Sequence, residues 1–414
     1  MNLTYSQKID KSVSLFIVLQ VTLMGVKNIL VQGIPFLFEI NEQLNVMITA
    51  LVSVLYLFAI FRTFGRRVCT SGWLFWLFIT GSILFTLLMF PQNGEIMRQY
   101  YIRWIVVFFL TSFLLTKLNT FEWLQYYMLR GSYAMTLAGV AYAVFVFMVG
   151  HSVNSDWSTY SMSMSNVVMW AVMWQLHAHF KQGNKLSLLF AIVGFMVILM
   201  YGSRNPLLAI VIYGLILTYD KYWKSNSSLS NPFIVFFTLI MMLLAVNLKP
   251  ILLAISDTLG GMGIASRSIG LFLSAGTDDF STGRDDIHKD VYKLISDNTM
   301  IGTGVCGDET QIGEMAHSLY LNIFTTYGVF IGALFLIAIV VLTLRALKAA
   351  KGLEHQILVM YLCLVFPRGF TGGDMWGSDV FWWLMGIVFM ILSNKQRIRR
   401  NAGSYIRQES VSVG

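Results

Sequence analysis

Residues 317–345 read "HSLYLNIFTTYGVFIGALFLIAIVVLTLR". Between His317 and Arg345 no residue carries a charge. A helix of about 20 apolar residues crosses the hydrocarbon core of a bilayer, and this run is longer than that. The same pattern recurs along nearly the whole chain. By the same measure, spans fall at about 13–34, 45–62, 72–90, 103–118, 131–149, 160–180, 186–202, 206–219, 232–254, 317–345, 354–367 and 378–394. Lipid cannot hydrogen-bond a bare backbone, so repeated runs of this kind mean helices.

Composition agrees. Hydrophobic residues make up 56% of the 414 residues and charged residues only 12%, whereas a soluble domain carries roughly 25% charged residues. The expected fold class is an all-α polytopic membrane protein with about 12 transmembrane helices. The first run begins near Val13 after a polar start, and no small-residue cleavage site follows, so it reads as a span rather than a signal peptide. Cys69, Cys306 and Cys363 are scattered and form neither a disulfide framework nor a zinc ligand set.

Net charge is +8. In a membrane protein this reads as basic cytoplasmic loops, not as nucleic-acid binding. With the N-terminus inside, the inner loops and the C-terminal tail collect most of the 29 Lys and Arg residues. The outer loops 35–44 and 150–159 hold none. Both termini are therefore expected to be cytoplasmic. The resulting division is residues 1–254 as spans one to nine, 255–316 as a large outer loop, 317–394 as the last three spans, and 395–414 as a cytoplasmic tail.

The long loop breaks the pattern of short connections. Loops of such length tend to be functional. It contains "TGRDDIHKDVYKLI", whose Ile287, Val291, Leu294 and Ile295 recur at helical spacing. Thr282 is placed to cap this amphipathic helix, with Asp285 in capping-box position. Arg284 falls in the first turn, where the helix dipole favours anions. A cation there either strengthens an anion site built on helix N–H groups or is a solvated neighbour of His288.

Basic residues expected at the outer face are a second departure from the usual bias. Arg98, Arg103, Arg267 and Arg284 are among them, with Arg204 in "YGSRNPLL" and Arg368 in the Gly-rich break "FPRGFTGGD". They either snorkel to lipid phosphate or hold an anionic substrate group, which suits the planar fork of arginine. His317 is either a membrane-interface histidine with a satisfied hydrogen bond or a base able to take a hydroxyl proton near neutral pH. "GTGVCG" at 302–307 matches a dinucleotide fingerprint by letters, but it follows no strand and reads as a turn. His177 and His179 are two apart, the wrong spacing for one helix face.

The order of these motifs resembles a known family. A "GSRN" break, a large outer loop with "STGR", then "IGTG", then "AHSLYLNIFTTYG" is similar to the superfamily of O-antigen polymerases and O-antigen ligases, bacterial inner-membrane enzymes. The likeness covers roughly residues 195–345 of the chain, and the N-terminal half matches in topology only. It places the family's Ser-Arg motif on Ser203 and Arg204, its Gly-Arg motif on Gly283 and Arg284, its Gly-x-Gly turn on Gly302 and Gly304, and its His on His317. Ser318 stands where the family has Asn, and His288 stands near the place of an absent aromatic.

The resemblance implies a GT-C-like fold and a glycosyltransferase that needs no metal or other cofactor. It implies donors and acceptors linked to undecaprenyl diphosphate, with a flippase and a chain-length regulator as possible partners. His317, Arg284 and Arg204 would be catalytic; Arg368, Arg267, Arg98 and Arg103 would bind substrate. Transfer to another lipid-linked repeat makes a polymerase, and transfer to lipid A core makes a ligase. A lipid-linked-sugar flippase or transporter is the contrasting expectation. It would favour ionisable residues within spans, and only Lys27 clearly lies in one.

Overall fold

The computed structural model describes residues 3–152, 161–222, 248–261, 269–270, 273 and 284–412. Among them every element is helical. In chain order the helices are α1 (Tyr5–Gly33), α2 (Pro35–Glu39), α3 (Asn41–Thr63), α4 (Thr70–Met89), α5 (Gly94–Ile102), α6 (Leu110–Thr116), α7 (Glu122–Ser152), α8 (Met162–Gln182), α9 (Lys185–Tyr201), α10 (Arg204–Tyr222), α11 (Leu248–Gly261), α12 (Arg284–Asp297), α13 (Gly307–Ile312), α14 (Leu319–Ala349), α15 (Leu353–Thr371) and α16 (Asp379–Ser412). A one-turn 3-10 helix, Pro91–Asn93, leads into α5, and a π-helical stretch, Arg103–Phe109, joins α5 to α6.

Six of the described segments are long and apolar enough to cross a membrane: Tyr5–Gln32, Asn41–Thr63, Thr70–Met89, Pro91–Thr116, Glu122–Met148 and Leu319–Ala349. The chain thus has the make-up of a multi-pass α-helical membrane protein. In α4, Phe75, Ile79 and Thr86 are buried while Leu74, Leu77, Leu84 and Leu88 are exposed. An outward apolar face of this kind is what lipid requires. Most of the expected ninth span, 232–254, lies outside the described residues, as do Arg267, Thr282 and Gly283.

The described chain forms two units, and neither follows chain order. The first comprises Met1–Ile17, Thr49–Leu124 and Arg284–Gly414; the second comprises Val18–Ile48 and Gln125–Gly283. In the second unit, local signals set the helix ends. Ser161 caps α8 by accepting from the Met164 amide at 3.0 Å, and Gly183 closes it with φ 70°. Asn184 then caps α9. Polar side chains in this unit bond one another: Lys27 bonds Asn41 and Asn45, Gln175 bonds Thr136, and His177 bonds Tyr213.

An aromatic core holds the first unit. Phe75 packs on Phe389 with ring centroids 5.2 Å apart, and Trp76 stacks on Trp382 at 5.8 Å. Such pairs contribute about 0.5–1.5 kcal/mol each beyond their buried area. Three features depart from the sequence reading. Helix α14 is broken at Gly328, which has φ 75° and ψ 176°. Arg368 lies in the last turn of α15, ahead of the glycine-rich break. The stretch expected as a tail continues α16 as far as Ser412.

Candidate functional site

The break in α14 releases carbonyls that a continuous helix would satisfy, and the "IGTG" turn takes them up. The amides of Thr303 and Gly304 donate to the carbonyls of Thr325 (2.7 Å) and Thr326 (3.1 Å), and the Val329 amide donates to Thr299 (2.7 Å). Such broken backbone persists in a span only when other protein groups satisfy it. A Cβ on Gly302 would sit 2.4 Å from the Gly328 nitrogen, so glycine is needed for the close approach. From the other side, the Asn93 side-chain amide donates to the carbonyls of Thr303 and Val305, and Thr86 Oγ1 accepts from the Val305 amide. The turn is thus pinned between α14 and the end of α4.

With the turn anchored, the path of residues 305–316 is set. Cys306, with φ 59°, directs the chain into the short helix α13, which begins Gly307-Asp308-Glu309. Asp308 is 2% exposed. It accepts from the Ala316 amide and from Asn322 Nδ2, both at 3.0 Å. The Asn322 oxygen in turn accepts from the Met375 amide at 3.1 Å. One asparagine on α14 therefore ties Asp308 to the turn between α15 and α16. That turn carries Asp374, buried, which accepts from the Gly377 amide.

Asp308, Asp374, Glu309, Tyr100, Arg103, Trp104, Cys306 and Trp376 are among the walls of a cavity of about 200 Å³. The π-helical stretch contributes Arg103 and Trp104; π segments occur often at functional sites. Trp104 and Trp376 lie with ring centroids 5.3 Å apart. Tyr100 donates to Glu309 at 2.9 Å. Trp376 is 2% exposed and, among the described residues, its Nε1 has no partner. Burial raises Asp374 to about 6; Asp308 and Glu309 push the same way, and Arg103 opposes them. Burial also raises Asp308, against the hydrogen bonds from Asn322 and Ala316.

His317 adjoins this site. Met315 lines the cavity, Ala316 holds Asp308, and His317 comes next with φ 49°. A non-glycine residue in the left-handed region costs of order 1–3 kcal/mol and persists only where its surroundings fix it. Here the Ala316 amide bonds Asp308 on one side. On the other, Ser318 caps α14 by accepting from the Leu321 amide and donates to the Gly369 carbonyl at 2.9 Å. Burial pushes the imidazole below its usual range, and the Arg284 charge adds to that, with a further push from His288; Glu314 and Asp308 oppose it.

The structure thus brings Arg284, the first residue of α12, within electrostatic reach of His317. Val291 and Leu294 are the buried residues of that helix. Arg103 lines the cavity and Arg98 is exposed on α5. Arg368 pairs with Asp379 at 3.0 Å. Arg204 opens α10 in the second unit, after Ser203, whose amide donates to Ser165 Oγ at 2.9 Å. Arg267 is outside the described residues. Sequence reasoning missed Asp308, Asp374, Asn322 and the two tryptophans. The only signal was a pair of aspartates in glycine-flanked turns, "CGDET" and "GGDMWG". Compared with known proteins, the chain matches no family model, no curated protein and no solved structure.

Proposed function

We propose that the chain is a membrane glycosyltransferase that joins undecaprenyl-diphosphate-linked oligosaccharide repeat units into a surface polysaccharide, O-antigen or capsule. In this reading it has twelve spans and a GT-C-like fold, lies in the bacterial inner membrane with both termini cytoplasmic, and works at the periplasmic face. One observation carries the reading: in a single unit, His317 follows Met315 and Ala316 at the edge of a cavity walled by buried carboxylates and indole rings, with Arg284 within electrostatic reach of its imidazole. Sugars present hydroxyls and apolar C–H faces together. Asp308 and Asp374 suit the hydroxyls, the Trp376 Nε1, unpartnered among the described residues, offers a donor, and Trp104 and Trp376 suit the faces.

The reaction is the one that the family resemblance implies. An acceptor hydroxyl oxygen attacks the anomeric carbon of the donor glycan. The new C–O bond forms as the bond to the lipid diphosphate breaks, and the diphosphate leaves with the electron pair. His317, held neutral by its surroundings, takes the hydroxyl proton. Arg284 and Arg368 stabilise the charge that grows on the leaving group, with Arg98 and Arg103 as further phosphate contacts. The gene deletion tests the reading. Surface glycan reduced to single repeats on lipid A core supports a polymerase. Bare core with long lipid-linked chains retained supports a ligase instead, and an unchanged glycan profile rejects both.

A further inference from the structure

The proposed reaction leaves the opposite end of the first unit unused. There the turn between α3 and α4, the turn between α6 and α7, and α16 enclose a cavity of about 740 Å³. Arg66, Arg67, Lys117 and Arg397 line it. Arg66 is occupied: it pairs with Asp10, and it also donates to the carbonyls of Lys117 (2.8 Å) and Ser6 (2.9 Å). Asp10 is itself buried and accepts from the Asn119 amide as well. Arg397 donates to two asparagines, Asn119 and Asn394.

Lys117 is the telling residue. It is 6% exposed. Its ammonium donates to the Arg66 carbonyl and lies 5.0 Å from the centroid of the Phe113 ring. Among the described residues no carboxylate pairs with it. A buried cation without an anion is costly, and here it borders a cation-lined space. Asp10 offsets Arg66, and Glu354 accepts from Asn394 but pairs with none of the four cations among the described residues. At the mouth of the same cavity Phe64 is 84% exposed and Trp73 is 48% exposed. Exposed aromatics beside cations mark the headgroup layer of a membrane.

We propose that this cavity binds a phosphate group, that of an anionic phospholipid headgroup, with Lys117 and Arg67 as its principal cations and Phe64 and Trp73 against the glycerol and upper acyl region. Arg67 is exposed and makes no ion pair among the described residues, so its fork is open to phosphate oxygens. Lipids that bind only the folded protein raise its melting temperature by mass action. The site does not depend on the proposed glycosyl transfer.

The full chain is purified in an uncharged detergent, and unfolding is followed by tryptophan fluorescence. Phosphatidylglycerol, phosphatidylcholine, inorganic phosphate and pyrophosphate are titrated separately at matched ionic strength. Phosphatidylglycerol should raise Tm by a few degrees where phosphatidylcholine does not, and Lys117→Met should lose the response. Arg67→Ala, an exposed change that does not threaten folding, should weaken it. A response to phosphatidylglycerol alone assigns the site to a headgroup. An equal response to soluble pyrophosphate keeps the phosphate site and overturns its lipid source. No selective shift in wild type, or the same shift in both variants, overturns the proposal.

Discussion

The two ends of the first unit differ in sign. At one end, a small cavity sets buried Asp308 and Asp374 among indole rings. At the other, a larger one sets Arg66, Arg67, Lys117 and Arg397 around a buried ammonium that no carboxylate neutralises among the described residues. The same helices reach both: α4 starts at Thr70, which lines the basic cavity, and ends just before Asn93, which holds the turn beside the acidic one. The helical frame between them is apolar and aromatic. The turns at the ends therefore carry the polar side chains, and the two ends offer opposite charge.

The largest effects are expected at the acidic end. Arg284→Ala and His317→Ala should each lower glycan transfer by about 10²-fold or more while the protein inserts at normal levels, measured as polymer length on a gel beside an immunoblot of membranes. An active His317→Ala would remove the base. The acidic end also responds to pH. Asp374 is raised to about 6, above the ordinary carboxylate range. Its neutral form is the favoured one when folded. Stability from this group is thus complete at low pH and declines as pH rises from about 4 through 6, a change of roughly 3 kcal/mol. Melting in detergent between pH 4 and 7 should show that decline, and Asp374→Asn should flatten it.

Smaller effects test whether the two ends are independent. Asn93→Ala removes two hydrogen bonds to the turn that carries Asp308 and should cost about 2 kcal/mol of stability, read as a lower Tm, without altering the phospholipid response of the basic end. A change in that response would mean the ends are coupled. Lys289→Ala cuts an ion pair on the open face of α12, where both partners are largely exposed. It should leave Tm and transfer unchanged. A measurable loss would make that face part of the working surface.

The membrane class and most helices were legible because lipid imposes a local rule: long apolar runs must be helices. The inward positions of α12 were legible for a similar reason, since Val291 and Leu294 stand at helical spacing. The stretch "FPRGFTGGD" puts Arg368 in a glycine-rich break, yet α15 runs through Pro367 and Arg368 to Thr371. Gly328 was read as part of a continuous span because its compensating partners, Thr299 to Gly304, lie in a separate stretch of chain. No motif in the sequence singles out Asp308 or Asp374. Only Asn322, which touches Asp308 and the Met375 amide, makes them neighbours, and no spacing rule encodes that.

The break at Gly328 also has a consequence for how the chain is made. Its missing backbone partners are supplied by Thr299 to Gly304, which precede α14 and leave the ribosome first. The turn is therefore already synthesised when the apolar segment after it enters the bilayer, and it can close the gap in the ladder as that segment arrives. Gly302→Ala, which places a methyl against the Gly328 backbone, would strike at biogenesis before it touched catalysis. It should appear as protein cleared by membrane proteases rather than as inactive protein that accumulates.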